Sequence, residues 1–359
     1  MAQTRRGCGC GLVAMIALVI VVGVAAWFLL KPWIEERWSK RLPPPSGKEL
    51  QVHVLDVGQG DAILIVAPSG KTVLVDAGVP GSGKKIIDAM KRHNVGQIDL
   101  MVATHAHADH IGGADEVING APVRVVLDSK VPNTTKNYQD FLLAIEQRGV
   151  EYVGAEPGRR FDLGDGAILT ALAPIPPFFT KDQLRSGGNE PNANSVVVRL
   201  DYGRFSMLLT GDAEAQTEQR IINNGGDVTA DVLKVGHHGS KYASTEEFLR
   251  RGQFKTAIIS TGADNRYGHP SQDVLDRLRA ANVKLYRTDL QGEISITTRG
   301  GDEYEIKSTR EAAGDLWAGR TPQKDDSSRS GFVAYGDFGP APKPKKSPDQ
   351  RSRNVAGGR

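Results

Sequence analysis

Four side chains that can bind metal ions or move protons lie within six residues of one another: His105, His107, Asp109 and His110. In an extended chain, the two imidazoles of a His-x-His pair point to the same side. The glycine pair at 112–113 permits a sharp turn, which would direct Asp109 and His110 toward a second point nearby. Imidazole and carboxylate ligands without a thiolate are typical of zinc, manganese or iron sites. The pattern therefore predicts two neighbouring divalent metal ions, with zinc as the first expectation.

A site for two metal ions also needs ligands from other parts of the chain, including a carboxylate that both ions share. Asp212 follows an apolar run that ends in glycine, which suits this role; the alternative is an N-cap of the next helix. The pair His237-His238 also ends an apolar run, beside another glycine. Asp76 follows a third apolar run, and there it could orient a metal-bound imidazole through a hydrogen bond. These residues extend the predicted site beyond the first cluster.

The elements that must position these residues are short β-rich runs that alternate with helical patterns. Alternation, apolar runs and turn residues predict strands over 50–56, 62–67, 72–76, 98–103, 123–127, 167–172, 195–200, 205–209, 231–235, 257–260, 284–287 and 294–298. Helical spacing predicts helices over 84–93, 137–147, 213–223, 245–251 and 271–281. The mixture predicts an α/β protein of the α+β type, in which helices cover two sheets, and excludes a doubly wound parallel sheet.

The two ends of the chain differ from its body. Residues 11–30 carry no charge over twenty positions, long enough to cross a hydrocarbon core of about 30 Å. This predicts a single transmembrane or signal-anchor helix after a basic flank over 1–10, with a cleaved signal peptide and a buried core helix as alternatives. A proline-rich linker over 31–48 would join it to a hydrolase domain over 49–307, placed outside the cytoplasmic membrane. The polar, proline-containing stretch over 308–359 is predicted to be a disordered tail.

Composition excludes several classes of protein. The chain has 359 residues, 41 Gly without a repeat period and two Cys, so it is neither a collagen nor a disulfide scaffold. The net charge of +3 comes from the ends, because residues 48–307 carry 34 acidic and 29 basic groups. An acidic body argues against wide binding to duplex nucleic acid. It leaves open local contact with one strand or a small diester.

Several motifs make the sequence resemble a known family. The pattern of His105-x-His107-x-Asp109-His110 with Asp76, Asp212 and His238 is similar to that of the metallo-β-lactamase superfamily. More narrowly, the body resembles the soluble hydrolase domain of the ComEC competence family in DNA uptake. The resemblance covers roughly residues 48–300 through six motifs: Val54-Leu-Asp-Val-Gly-Gln-Gly-Asp61, Asn194-Ser195, Leu209-Thr-Gly-Asp212, Leu233-Lys-Val-Gly-His-His-Gly-Ser240, Asn265-Arg-Tyr-Gly-His-Pro270 and Arg287-Thr-Asp-Leu-Gln-Gly292. The multi-pass channel of that family has no counterpart here, which indicates a standalone, membrane-tethered relative.

The resemblance implies a four-layer αβ/βα sandwich with two metal ions at one edge between the sheets. It assigns ligands as follows: His105 and His107 to the first metal, Asp109 and His110 to the second, Asp212 as the bridge, and His238 as the last ligand. His237 would then face the substrate. One departure from the family pattern is that no histidine lies between His110 and His237, where many members supply a ligand to the first metal. Asn194 or Ser195 occupies about that region, so the first site is expected to be weaker, completed by solvent or empty.

Two cations that share a hydroxide suit the hydrolysis of phosphodiesters, because they stabilise charge on the attacking and leaving oxygens. The first hypothesis is therefore a phosphodiesterase or nuclease whose substrate is a phosphodiester such as single-stranded DNA. Catalytic roles are predicted for Asp109, His237 and His269, the last of which would contact phosphate or protonate the leaving oxygen. Further substrate contacts are predicted at Asn265, Arg266 and Lys241.

Two other hypotheses stay open at this point. One is a hydrolase of lactones, thioesters or phosphocholine esters, because one fold supports many chemistries. The other is a non-catalytic tethered subunit of a DNA-uptake or envelope assembly, whose protein partners the sequence does not identify.

Overall fold

The computed structural model describes residues 47–185 and 188–322 of the chain. The predicted membrane helix over 11–30 and most of the predicted linker lie outside the described residues, as does the chain from 323 to 359. Within the described part, none of the helices combines the length and the apolar character that crossing a membrane requires.

The described residues contain fifteen strands in two mixed sheets. The strands are β1 (Leu50–Val54), β2 (Ile63–Val66), β3 (Thr72–Val75), β4 (Ile98–Ala103), β5 (Val123–Asp128), β6 (Glu151–Gly154), β7 (Arg160–Gly164), β8 (Ala167–Ala173), β9 (Val197–Tyr202), β10 (Phe205–Leu209), β11 (Val232–Lys234), β12 (Thr256–Ile259), β13 (Lys284–Arg287), β14 (Ile294–Thr298) and β15 (Tyr304–Ser308). One sheet has the order β15-β14-β1-β2-β3-β4-β5-β6, and the other has the order β13-β12-β11-β10-β9-β8-β7.

Helices cover the outer face of each sheet. They are α1 (Gly83–Arg92), α2 (Ala108–Ile111), α3 (Ala114–Gly120), α4 (Lys136–Arg148), α5 (Glu190–Ala193), α6 (Ala215–Asn223), α7 (Glu246–Gly252), α8 (Gln272–Ala280) and α9 (Thr288–Gln291). One apolar core lies between the sheets, a second lies under α1, α3 and α4, and a third lies under α6, α7 and α8. The chain is thus a mixed α/β sandwich, which confirms the prediction of two sheets covered by helices.

The predicted strands were accurate where the strand is central and apolar, as in β4, β10 and β14, whose bounds match the prediction. Strands β6, β7 and β15 are not predicted by the sequence pattern. All three lie at or next to a sheet edge, and most of their residues are partly or fully exposed. An edge strand has a neighbouring strand on one side only, and few of its side chains are buried. Its sequence therefore lacks the run of apolar residues that marks a buried strand.

The topology brings several strand ends to one edge of the sandwich. Strands β3, β4, β5 and β6 run parallel in the first sheet, and β10, β11, β12 and β13 run parallel in the second. The carboxyl ends of parallel strands meet at the same edge of a sheet, which is where ligands bind in α/β proteins. A hydrogen bond from the Val196 amide to the Thr104 carbonyl, at 2.8 Å, joins the two sheets at this edge.

The predicted domain end at 307 requires a correction, because ordered chain continues past it. Ser308 belongs to β15, and the following residues pack back on the domain. Arg287 donates to the carbonyl oxygens of Leu316 and Ala318, and the Arg320 amide donates to the Pro270 carbonyl. The polar composition of this segment predicts disorder, but its backbone forms hydrogen bonds with buried groups of the domain, which composition does not reveal.

The core between the sheets should carry much of the stability. Leu169 in β8 is fully buried there, so Leu169→Ala should lower the free energy of unfolding by about 2–5 kcal/mol. Urea unfolding followed by circular dichroism measures this. The matched control is Leu143→Ala, at a leucine of α4 that is 48% exposed; it should change stability by no more than about 0.5 kcal/mol. Equal losses in the two variants would contradict the assignment of the core.

Candidate metal centre

The first histidine cluster begins where β4 ends. After Thr104 the backbone bends at His105 and Ala106, and His107 is the extended N-cap of α2, with φ −93° and ψ 151°. Asp109 and His110 then lie in the single turn of α2. The two pairs of side chains are therefore directed to different points, as the spacing predicts, but the first pair lies on a bend and not on an extended strand.

The first point is formed by His105, His107 and Asp212. The Nε2 atom of His105 lies 3.0 Å from Nδ1 of His107 and 3.6 Å from Oδ2 of Asp212. Each of the three residues offers a donor atom within 4.8 Å of the others. Ser195 lies behind this group, with its hydroxyl 3.4 Å from Nδ1 of His105. The same hydroxyl accepts a hydrogen bond from the Asp212 amide, so Ser195 supports two of the three residues.

The second point is formed by His110, His238 and the other oxygen of Asp212. The two Nε2 atoms of the histidines lie 3.1 Å apart, and Oδ1 of Asp212 is 3.1 Å from His110 Nε2 and 3.6 Å from His238 Nε2. Oδ2 of Asp109 lies 3.3 Å from Nε2 of His238. Asp212 therefore presents one carboxylate oxygen to each point. Because its helix begins at Ala215 with Glu214 as N-cap, Asp212 is not the helix cap that the alternative interpretation required.

The hydrogen bonds around the second point leave lone pairs that face one another. Nδ1 of His110 is 2.7 Å from a carboxylate oxygen of Asp76, and Nδ1 of His238 is 2.9 Å from the carbonyl oxygen of Ser260. Both partners are acceptors, so each Nδ1 carries the proton and each Nε2 carries a lone pair. Oδ1 of Asp212 is buried and has no hydrogen-bond partner among the described residues. A cation satisfies this convergence of lone pairs, so the donor set fits a divalent metal.

Electrostatics at this point favour positive charge. Burial opposes the charge on His110, yet Asp212 and Asp76 raise its pKa well above the ordinary value. Burial also opposes the charge on His238, whose pKa Asp212 and Asp61 raise to about 10. Burial favours a protonated Asp212, but the surrounding imidazoles hold its pKa well below the ordinary value. Two imidazolium groups whose Nε2 atoms lie 3.1 Å apart would repel each other, whereas a divalent cation supplies the same charge with attraction to every donor.

A buried ion pair that the sequence pattern does not predict lies behind His238. Asp61 and Lys234 are both buried, and Oδ2 of Asp61 lies 2.6 Å from Nζ of Lys234. Burial raises the pKa of Asp61, but Lys234 and His238 outweigh it and bring the pKa to about 2. Oδ1 of Asp61 is 3.4 Å from His238 Nδ1, within reach of the second point. Oδ1 of Asp61 is buried without a hydrogen-bond partner among the described residues, so Asp61 is a second candidate carboxylate ligand at this point, beside the predicted Asp109.

Asp76 lies where the sequence predicts a supporting carboxylate. Its side chain accepts hydrogen bonds from the Thr104 amide at 2.8 Å and the Thr104 hydroxyl at 2.7 Å, in addition to His110 Nδ1. Its φ of 59° is in the left-handed region, which costs a non-glycine residue energy. The strained backbone turns the carboxylate toward His110 and so fixes the imidazole that reaches the second point.

His237 and His238 project to opposite oxygens of Asp212. Both residues have left-handed backbone angles, with φ of 48° and 52°. Nε2 of His237 lies 3.6 Å from Oδ2 of Asp212, on the side of the first point. Its Nδ1 lies 3.0 Å from Glu214, a partner that the sequence analysis missed two positions after Asp212. Asn192, also missed, lies 3.3 Å from His237 Nε2, in the stretch where a further histidine was expected.

An open cavity of about 450 Å³ gives access to both points. It is lined by Gln59, Ala106, His107, Ala108, Asp109, Asn133, Thr135, Asn137, Arg185, Asn189, Pro191, Asn192, Asp212, Glu214, His237, His238, Tyr267 and His269. The ring of His269 packs edge-on against His237, with centroids 5.4 Å apart. Burial, with His237 and His238, lowers the pKa of His269 to about 3, so this ring is neutral at pH 7.

Four residues that the sequence assigned to the site or its substrate, Asn194, Lys241, Asn265 and Arg266, do not line this cavity. Asn194 bonds the backbone of Phe179, and Asn265 bonds the backbone of its own loop at Gly262 and His269. Lys241 is exposed, with Nζ 5.1 Å from the centre of a neighbouring tyrosine ring. The cavity wall does not include Arg266 either. Asn265 thus shapes the loop that carries His269 and does not itself reach the cavity.

Comparison with known proteins agrees with this geometry. A family model described as the metallo-beta-lactamase superfamily matches residues 55–263. ComE operon protein 3 of Bacillus subtilis is 33% identical over 270 residues, which cover 70% of this chain and 33% of that protein. Recombination protein 2 of Haemophilus influenzae is 31% identical over 276 residues, covering 76% and 31% respectively. The chain thus spans about one third of the length of these two relatives. A UPF0173 metal-dependent hydrolase of Cupriavidus necator is 33% identical over 208 residues, covering 55% of this chain and 69% of that protein.

Replacing the carboxylate behind His110 should weaken metal binding. In Asp76→Asn the amide nitrogen would donate to Nδ1 of His110, which places the proton on Nε2 and points it at the second site. Metal affinity, measured by competition with a chromogenic chelator, should fall about 10- to 100-fold. The control is Asp99→Asn, at a carboxylate of β4 that accepts a hydrogen bond from the Thr72 amide and lies away from the cavity. Unchanged affinity in Asp76→Asn would contradict the orienting role.

Proposed function

The chain belongs to the metallo-beta-lactamase superfamily, and from this we propose that it is a metal-dependent hydrolase that cleaves phosphodiester bonds. The observation that carries the proposal is the position of Asp212, which presents one oxygen to each of two groups of metal-binding side chains. Two divalent cations bound there, zinc first with manganese or iron as alternatives, would supply an activated water and neutralise charge on the attacking and leaving oxygens. The ligands proposed are His105 and His107 on one side, and Asp109, His110 and His238 on the other, with Asp212 between them.

The residues around the cavity support a substrate that carries one or a few phosphates. Arg185 is the cation of the described cavity wall, and it is already paired with Glu214 at 3.0 Å. The rest of the wall combines amide side chains at Gln59, Asn133 and Asn137 with the carboxylates and histidines of the metal centre and a few apolar residues. A wall of this kind is suited to hydrogen bonds with a small polar group or a single strand, and it lacks the positive surface that duplex binding uses.

Two histidines are placed to act on such a substrate. Glu214 accepts a hydrogen bond from Nδ1 of His237, so the lone pair of this imidazole is on Nε2, which is directed toward Asp212. A proton acceptor next to the proposed metal ions needs a lone pair in this position. His269 is neutral at pH 7, so we assign it a hydrogen bond to a phosphoryl oxygen and do not assign it protonation of the leaving group. In this proposal the hydrolysis depends on Asp109, His237 and His269 in addition to the shared carboxylate.

The relatives support a substrate related to nucleic acid. The name of the Haemophilus protein, Recombination protein 2, refers to a process that acts on nucleic acid, whose backbone is a phosphodiester. Single-stranded DNA is therefore the proposed macromolecular substrate. The uncharged stretch over 11–30, which lies outside the described residues, is the proposed membrane anchor, with the hydrolase on the outer side.

Hydrolysis of bis(p-nitrophenyl) phosphate tests the activity directly. The metal-loaded protein should cleave this diester, and Asp109→Ala and His110→Ala should each lower kcat/KM by at least about 100-fold, because removal of a ligand disrupts charge stabilisation in the transition state. EDTA should abolish turnover, and added zinc or manganese should restore it. The control variant is Asp88→Ala, since this residue of α1 does not line the cavity.

The same assay separates the alternatives. Turnover of lactones or thioesters without turnover of the diester would assign the site to another ester class. Bound metal without turnover of any of these substrates would favour the non-catalytic, tethered subunit. Either outcome would overturn the phosphodiesterase proposal.

A further inference from the structure

The motif Arg287-Thr-Asp-Leu-Gln-Gly292 contains a buried ion pair that does not line the cavity. Nη2 of Arg287 lies 2.8 Å from Oδ2 of Asp289, and Nε lies 3.1 Å from Oδ1. Both residues are almost completely buried. Burying two charges is costly unless further hydrogen bonds satisfy them. The partners of this pair therefore indicate what the motif does.

Those partners belong to the chain that follows β15. Nη1 of Arg287 donates to the carbonyl oxygens of Leu316 at 2.9 Å and Ala318 at 2.7 Å. Asp289 accepts two further hydrogen bonds from Arg320, at 2.6 Å and 3.0 Å. The ion pair is thus a receptor for residues 316–320, and the segment completes its hydrogen bonding.

Arg320 also contacts the loop over 263–270, through both its guanidinium and its backbone amide. Its Nη1 donates to the Ala263 carbonyl at 2.6 Å, and its amide donates to the Pro270 carbonyl at 2.9 Å. Two residues later, Pro322 packs against Gly268 so closely that an added Cβ on that glycine would lie 2.5 Å from the proline ring. The segment therefore contacts the loop at its start, its middle and its end.

The same loop carries two residues of the cavity wall, Tyr267 and His269. Their rings are stacked, with centroids 6.0 Å apart. Asn265 connects the loop internally, because its side chain bonds the backbone of His269 in both directions, at 2.7 Å and 3.0 Å. With this internal connection, a displacement of the loop would move His269 as part of a unit.

We propose that Arg320 is a positioning residue, which joins the buried Asp289 to the loop over 263–270 and thereby holds His269 and Tyr267 at the cavity. The contribution to catalysis rests on the proposed function, while the contribution to loop position does not. A loop misplaced by about 1 Å can lower catalysis by on the order of 100-fold, so a contact far from the reacting atoms can control rate.

Arg320 is also the member of this group whose removal leaves no isolated buried charge. In Arg320→Ala, Asp289 keeps its paired hydrogen bonds from Arg287, so the receptor stays neutralised. Substitution of Asp289 would instead leave the buried guanidinium of Arg287 unpaired, and a folding defect would then obscure the result.

The experiment compares Arg320→Ala with Arg310→Ala in the full chain loaded with zinc. Arg310 also lies in the chain that follows β15 and donates to the backbone carbonyls of Leu290 and Asp289, but among the described contacts it has no bond to the loop over 263–270. The first readout is the ¹³Cε1 resonance of His269 in histidine-labelled protein, identified by its loss in His269→Gln. It should shift in Arg320→Ala and stay in place in Arg310→Ala.

The second readout is turnover of bis(p-nitrophenyl) phosphate. Arg320→Ala should lower kcat by about 10- to 100-fold with unchanged zinc content, and guanidinium chloride at millimolar concentration should restore part of the loss. In a His269→Ala background, Arg320→Ala should have little further effect, because Arg320 acts through that residue. Additive losses in the double variant, or a His269 resonance that does not move, would overturn the proposal. If the wild-type protein has no diesterase activity, the proposed function fails, and the resonance alone decides the role of Arg320.

Discussion

The arrangement around Asp212 is the constraint on which the rest of the structure depends. Its two oxygens and the Nε2 atoms of His105, His110 and His238 converge in a buried space, where unpaired acceptors and repelling lone pairs are costly. A divalent cation bound there would satisfy these acceptors and so offset the cost. The nearby groups are arranged to keep the lone pairs available: Asp76 holds the proton on the far side of His110, and the Ser260 carbonyl does the same for His238.

The sandwich makes this convergence possible by bringing the ends of parallel strands from two sheets to one edge. β4 delivers the first histidine cluster, β10 delivers Asp212 and β11 delivers the pair His237-His238. Local strain completes the geometry. Asp76, His237 and His238 all have left-handed backbone angles, and Gly60 passes so close to Asp109 that a Cβ would lie 2.2 Å from its carbonyl oxygen. Strained backbone angles persist only where the surrounding contacts hold them in place, and here the packed ends of the two sheets hold them.

Much of the site could be predicted from sequence because its donors are concentrated in short runs after apolar strands. The strands themselves could be predicted where they are central and apolar, while edge strands such as β6 could not. The residues that support the site could not be predicted from the sequence for a different reason. Each supporting ion pair joins positions that are far apart in sequence or lie on different elements, so only the tertiary structure reveals it. The pairs are Asp61 with Lys234, Glu214 with His237 and Asp289 with Arg320. Each of these charges could equally have been a surface residue.

The most direct measurement of the central claim is anomalous diffraction from crystals of the protein loaded with zinc, recorded on both sides of the zinc absorption edge. The account predicts two peaks on opposite sides of Asp212, one beside His105 and His107 and the other beside His110 and His238, with a separation of about 3.5–4 Å. One peak elsewhere, or an ordered Asp212 with no anomalous density near either oxygen, would contradict it.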